Sequence, residues 1–180
     1  MEYKKYTIAV IILYIILLPI FFVYHPQILK YDFNFKNFYY IIFICAISIL
    51  GLYLMIRKFI GISKNTGINL KTILAFFVYA IIIGAAEEII FRGLIQGFLH
   101  SYFNSELTPI LLSSFIFGIA HLPNSANGLH VKKWNWKLAI VACVGGLPLG
   151  TLFALTDSLL IPTILHSLFL MMMKSYNSRF

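Results

Sequence analysis

The longest apolar run in this chain, from about Thr72 to Leu99, carries Glu87, Glu88 and Arg92 in its middle. A run of that length is long enough to cross a bilayer, where roughly 20 apolar residues suffice. Charges placed there need a partner, a watery cavity or a function. Five more stretches approach spanning length: Tyr6 to Tyr24, Phe38 to Ile56, Leu107 to His121, Leu138 to Leu155 and Leu159 to Met173. The Leu107 and Leu159 runs are short enough to be half-buried in protein or to reach only a thinned bilayer. Composition agrees, with 61% hydrophobic and only 11% charged residues over 180 positions, against about 25% charged in a soluble domain. The expected fold class is all-α, a polytopic integral membrane helical bundle of about six transmembrane helices.

The basic residues set the expected orientation. With the N-terminus inside, Lys4, Lys5, Arg57, Lys58, Lys64, Lys71, Lys132, Lys133, Lys137, Lys174 and Arg179 fall on one side. Only Lys30 and Lys36 lie opposite, where Asp32, Glu106 and Asp157 also fall. The positive-inside rule then puts both termini in the cytoplasm. The first run is read as a retained anchor, because it is too long for a signal-peptide core and no small-residue cleavage site follows it. The net charge of +8 is chiefly this orientation signal, facing anionic lipid. No nucleic-acid partner is expected, and Trp134 and Trp136 beside Lys132, Lys133 and Lys137 read as an interfacial belt. Cys45 and Cys143 sit in apolar runs, with neither zinc spacing nor a disulfide framework.

The chain divides in character. Residues 1–70 give two plain hydrophobic helices. Residues 71–180 hold both intramembrane acids, the intramembrane arginine and the two most deeply placed histidines. Glu88 and Arg92, four apart, stack on one helical face in the favourable order for a pair. Glu87, about 100° around the helix, is the acid without a local counter-ion. Phe117 and His121 share a face of the Leu107 run, with Ser114 one turn before Phe117. His166 lies well inside the last apolar run. Taken singly, the Glu88–Arg92 pair can be a packing device, and each histidine can satisfy a backbone carbonyl. One free carboxylate and two histidines on three different runs converge only in a shared intramembrane pocket. Such a set suits water activation, the carboxylate taking a proton while imidazoles orient water or stabilise an oxyanion. Spacing alone also allows Glu87, His121 and His166 to ligate zinc, although His-Glu-x-x-His is absent. Gly146 and Gly150, as Gly-x-x-x-Gly, are read as close helix packing. His25, His100 and His130 are assigned no role.

Glu87-Glu88-x-x-x-Arg92, then Phe117-x-x-x-His121, then His166 on a late helix resemble the CPBP intramembrane protease family. The stretch Gly146-Leu-Pro-Leu-Gly150 through Pro162 to His166 resembles its last motif block. That family joins CAAX prenyl endopeptidases of the Rce type with bacteriocin-processing and self-immunity proteins. The likeness spans about residues 75–170. It implies a membrane endopeptidase in which Glu87 is the base and His121 its partner. Glu88, Arg92 and Phe117 are then supporting residues, and His166 positions water or stabilises the oxyanion. A glutamate mechanism with no cofactor is favoured over a zinc one. The implied partners are a peptide or membrane-protein substrate and the lipid bilayer. One departure stands out: the family has an asparagine four residues after the histidine, and this chain has Leu170. Ser114 and Ser167 are candidate substitutes. A non-catalytic self-immunity or peptide-binding protein is the competing expectation. A transporter or proton relay is a third, but no inverted repeat is evident. Richness in Ile, Lys, Asn, Phe and Tyr points to an AT-rich bacterial genome, hence to a bacterial plasma membrane and away from prenyl processing.

Overall fold

The computed structural model describes residues 37–55, 57, 70–123 and 134–176. The first apolar run and most of the basic loop residues lie outside them, as do His25 and His130. The regular elements among the described residues are all helices, with no strand. Helix α1 spans Phe38–Met55 and α2 spans Leu70–Glu88. A π-helical stretch, Ile89–Gln96, continues α2 directly into the short α3, Gly97–Tyr102. After a brief turn come α4 (Leu107–Ala120), α5 (Trp136–Thr156) and α6 (Leu160–Tyr176). The third apolar run does not stop at its charges. It stays helical and widens in the middle.

The chain marks its helix ends with local chemistry. The Asn135 side chain accepts the Leu138 N–H at 3.0 Å, an N-cap for α5. Asp157 closes α5 in the left-handed conformation, φ 47°, a region that a short polar side chain tolerates. Its N–H donates to the Phe153 carbonyl at 2.8 Å. This tight reversal sends α6 back along the bundle, which carries His166 to the side of α2. Pro109 and Pro162 stand in first turns, where the missing N–H had no partner to lose.

Small and polar residues face inward, and large apolar residues face outward. On α4 the buried positions include Ser113, Ser114 and Gly118, while Leu107, Leu111, Leu112, Phe115, Ile116 and Ile119 are exposed. On α2, Leu74, Phe77, Val78, Ile81 and Ile82 make an exposed stripe, with Ala80, Ile83, Gly84 and Ala86 inside. In water such an exterior would aggregate; in a bilayer it meets acyl chains. Two helical segments, Leu74–Tyr102 and Trp136–Thr156, are long and apolar enough to cross a membrane, and most of their surface faces outward. α1, α4 and α6 supply shorter apolar helices.

With no hydrophobic drive between helices in lipid, association depends on close packing and polar contacts. Two packed pairs result, α2 with α6 and α4 with α5. Ser167 clamps the first pair, its hydroxyl donating to Thr163 O at 2.7 Å and directed at Ala80 O at 3.3 Å. Gly118 closes the second: a Cβ there would lie 2.6 Å from Cys143 Cβ and 2.8 Å from the Ala139 carbonyl oxygen. Gly118→Ala should therefore lower stability by about 1–3 kcal/mol, the range for overpacking. An unchanged thermal unfolding midpoint in detergent would refute that close contact. α1 packs on α5 and α6, with Ile41 and Leu52 joining Val141, Leu149, Leu152, Leu165 and Phe169 in one apolar core.

Candidate active site

The last two residues of α2, Glu87 and Glu88, occupy the inner side of the bundle just before the π-helical stretch. Glu88 and Arg92 are fully buried, in contact at 3.3 Å from Arg92 Nε to Glu88 Oε2 and from Nη1 to Oε1. The expected pair is present, and it has more partners than spacing alone revealed. Arg92 Nη2 donates to the Gly146 carbonyl at 2.9 Å. Four residues on, Gln96 Nε2 donates to the Gly150 carbonyl at 2.9 Å. The Ser113 hydroxyl in turn points at Gln96 Oε1, 3.2 Å away.

The Gly146–Gly150 pair packs closely against α4, as read in the sequence, and has a second use besides. A Cβ at Gly146 would sit 3.2 Å from Arg92 Nη2, and one at Gly150 would sit 2.8 Å from Gln96 Oε1. At Gly146 the same Cβ would also lie 3.1 Å from Ser114 Cβ and 3.2 Å from Ser114 Cα, so the glycines both let α4 come close and admit two polar side chains to the α5 backbone. Gln96 is the residue that sequence reading passed over. Its signal was available: an amide inside an apolar run needs partners as surely as a charge does.

His121 caps the C-terminal end of α4. Its Nδ1 lies 2.8 Å from the Phe117 carbonyl. A carbonyl can only accept, so Nδ1 carries the proton and Nε2 faces the other way. That Nε2 is 3.6 Å from Glu87 Oε2. His166, two turns into α6, places Nδ1 at 2.8 Å from Glu88 Oε1 and Nε2 at 3.5 Å from Glu87 Oε2. Glu87, His121 and His166, from three helices, are thus brought together around one carboxylate oxygen. Glu87 Oε2 is buried and has no hydrogen-bond partner among the described residues. The side chains of Glu87 and His121 keep 15% and 13% exposure, whereas His166 keeps 5%. The two former groups are the ones a substrate can touch most readily.

Phe117 holds the cluster together from beneath. Its ring meets His121 edge-on at 4.5 Å and His166 at 5.5 Å, and Arg92 Cζ stands over it at 4.7 Å. Phe91 packs against its other side at 4.9 Å. The guanidinium gains a cation–π contact on top of its ion pair.

The two serines considered as donors differ. Ser167 is committed to backbone carbonyls, as described above, so it is no substitute for an amide at position 170. Ser114 is fully buried beside Gly146, and its hydroxyl has no partner among the described residues. Seven positions along α4 separate it from His121, about 10 Å along a helix axis. No three His, Cys, Asp or Glu side chains among the described residues converge as metal ligands.

His100 lies on the exposed surface, 2.7 Å from Glu106, far along the chain from the pocket. Leu170, one turn after His166, is partly buried.

The pocket, its buried ion pair and its outward apolar surface agree with what sequence comparison finds. The profile of the type II CAAX prenyl endopeptidase Rce1-like family, a membrane-embedded protease family, matches residues 69–172. No curated protein and no solved structure matches the chain. The match covers more than half of the chain and contains Glu87, Glu88, Arg92, Phe117, His121 and His166. The chain belongs to the type II CAAX prenyl endopeptidase Rce1-like family.

Proposed function

We propose that this protein is an intramembrane endopeptidase in which Glu87 activates water against a peptide bond. The observation that supports this most directly is Glu87 Oε2, without a hydrogen-bond partner among the described residues and 3.5–3.6 Å from two imidazole Nε2 atoms. Glu87 takes a proton from water as the water oxygen bonds to the carbonyl carbon, and the carbonyl π pair moves onto oxygen. When the tetrahedral species collapses, the C–N bond breaks and the Glu87 proton passes to the leaving nitrogen. The products are a carboxyl and an amine, and Glu87 returns to its starting state. His121, oriented by the Phe117 carbonyl, positions the water. Glu88, Arg92 and Phe117 hold the cluster in place, and no cofactor takes part.

The site lies among helices whose outer faces are apolar, so the substrate class that fits is a small or membrane-proximal peptide. A maturing bacteriocin and a CAAX-type terminus both belong to that class. In this reading residues 71–180 form the catalytic core. The protein is a multi-pass component of a bacterial plasma membrane with both termini cytoplasmic, and nucleic acid is no partner. Reporter fusions at each terminus check that orientation.

The test is cleavage of lipid-anchored and free peptides by the full chain in lipid nanodiscs. Cleavage should be lost in His121→Ala, whose helix-end position makes it structurally tolerant. Equal cleavage by that variant removes the assignment. A second reading, a non-catalytic bacteriocin self-immunity or peptide-binding protein, draws on Leu170, which offers no amide beside His166. It requires protection of cells from a cognate peptide to survive Glu87→Gln.

A further inference from the structure

Ser114 is fully buried, yet its hydroxyl has no hydrogen-bond partner among the described residues. A buried hydroxyl left this way costs free energy. A serine inside a helix ordinarily turns to the carbonyl four residues back. Ser114 does not bond the Ile110 carbonyl; the Ser113 hydroxyl donates there instead, at 3.2 Å.

Arg92 has spare capacity of the opposite kind. A guanidinium carries five N–H groups. Glu88 Oε2 faces Nε at 3.3 Å, Glu88 Oε1 faces Nη1 at 3.3 Å, and the Gly146 carbonyl takes Nη2 at 2.9 Å. One N–H on each Nη is left over, in a side chain that is itself fully buried. The guanidinium stands over the Phe117 ring, and Ser114 lies one turn before Phe117 on the same face of α4. A Cβ on Gly146 would stand 3.1 Å from Ser114 Cβ and 3.2 Å from Arg92 Nη2, so both residues flank one point on α5. They are neighbours that do not bond directly. An enclosed polar gap of this kind is where internal water is found, bonded to groups that have no other partner.

We infer that one internal water sits between Ser114 Oγ and the free edge of the Arg92 guanidinium. Water fits because its oxygen accepts from a guanidinium N–H while it also bonds the hydroxyl, as donor or acceptor. An anion there would face Glu88, which already holds the same guanidinium. A metal cation would meet N–H groups that offer no lone pair. The water ties α4 to the Glu88–Arg92 pair, much as the Gly146 carbonyl ties α5 to it. Because His121 stands at the end of α4, this tie holds it at a set distance from Glu87, whatever reaction the pocket carries out.

Two measurements test the inference, and neither needs a substrate, so a failed cleavage assay leaves it untouched. The first uses the full chain in nanodiscs with 15N-labelled arginine. The Arg92 guanidinium, identified by its contact with the Phe117 ring, should receive dipolar transfer from a bound water. In Ser114→Ala that transfer should be lost while the guanidinium signal itself remains. No transfer in the native chain, or equal transfer in the variant, overturns the inference. The second is the thermal midpoint in detergent. If Ser114 holds a water, alanine strands the Arg92 N–H groups, and the midpoint should fall by about 2–4 °C for a chain of this size. If the hydroxyl has no ligand, alanine removes an unsatisfied buried group. The midpoint then stays level or rises, and that result also overturns the inference.

Discussion

Replacing Glu87 by glutamine should slow peptide cleavage by about a hundred- to ten-thousand-fold, the span a general base contributes, and should leave the protein as stable as before. The two halves of this expectation have separate causes. An amide has nearly the shape of the carboxylate but cannot accept a proton from water. Glu87 Oε2 makes no hydrogen bond among the described residues, so the substitution breaks no contact seen there that folding depends on. It also removes one of two negative charges from a pocket that holds a single guanidinium. The thermal midpoint in detergent should therefore stay level or rise. Cleavage at the native rate would remove Glu87 from the chemistry, and a large drop in the midpoint would make it structural. Its neighbour should behave in the opposite way, because Glu88 touches both Arg92 and His166.

Arg92→Met is expected to be the most damaging single change to stability, by about 3–5 kcal/mol. That is the range for leaving a buried charge without its partner. Glu88 would face only His166, and the Gly146 carbonyl would lose its donor at 2.9 Å. A methionine fills much of the space but satisfies none of these atoms. Restoring charge balance should restore part of the loss, so Glu88→Gln combined with Arg92→Met should be more stable than Arg92→Met alone. Chemical or thermal unfolding of the four proteins in one detergent measures the coupling. If the single variant unfolds at the native temperature, Arg92 is not what ties this helix to α5.

Much of this arrangement could be read from residue type and spacing. Long apolar runs led to helices because lipid leaves the backbone few other ways to satisfy itself. Glu88 and Arg92 declared each other by being four apart. Three proton-handling groups on separate apolar runs declared a pocket, since no one of them is comfortable in lipid by itself. What spacing could not supply was pairing between distant segments. The His166–Glu88 bond joins positions 78 apart, and nothing in either local sequence prefers it to a bond with Glu87. The second use of Gly146 and Gly150, beside the close packing that Gly-x-x-x-Gly announced, was hidden for a related reason. A missing Cβ says that something comes close, but not whether it is a helix or the tip of an arginine. Ser167 shows the reverse failure, a hydroxyl near the pocket in sequence that the fold commits to the backbone. The π-helical stretch had no visible cue, because a wider helical turn changes which residues face inward without changing which residues are apolar.

That wider turn makes the chain sensitive to counting as well as to chemistry. Arg92 and Gln96 reach carbonyls that are themselves four residues apart on α5, so the two helices engage like matched teeth. Removing one residue between Arg92 and Gln96 would swing everything downstream by about 100° while sparing the contact between Glu88 and Arg92. Gln96 would then turn away from Gly150, and α4 would arrive with His121 aimed somewhere other than at Glu87. Single-residue gaps in this stretch should therefore be far less tolerable than most point substitutions.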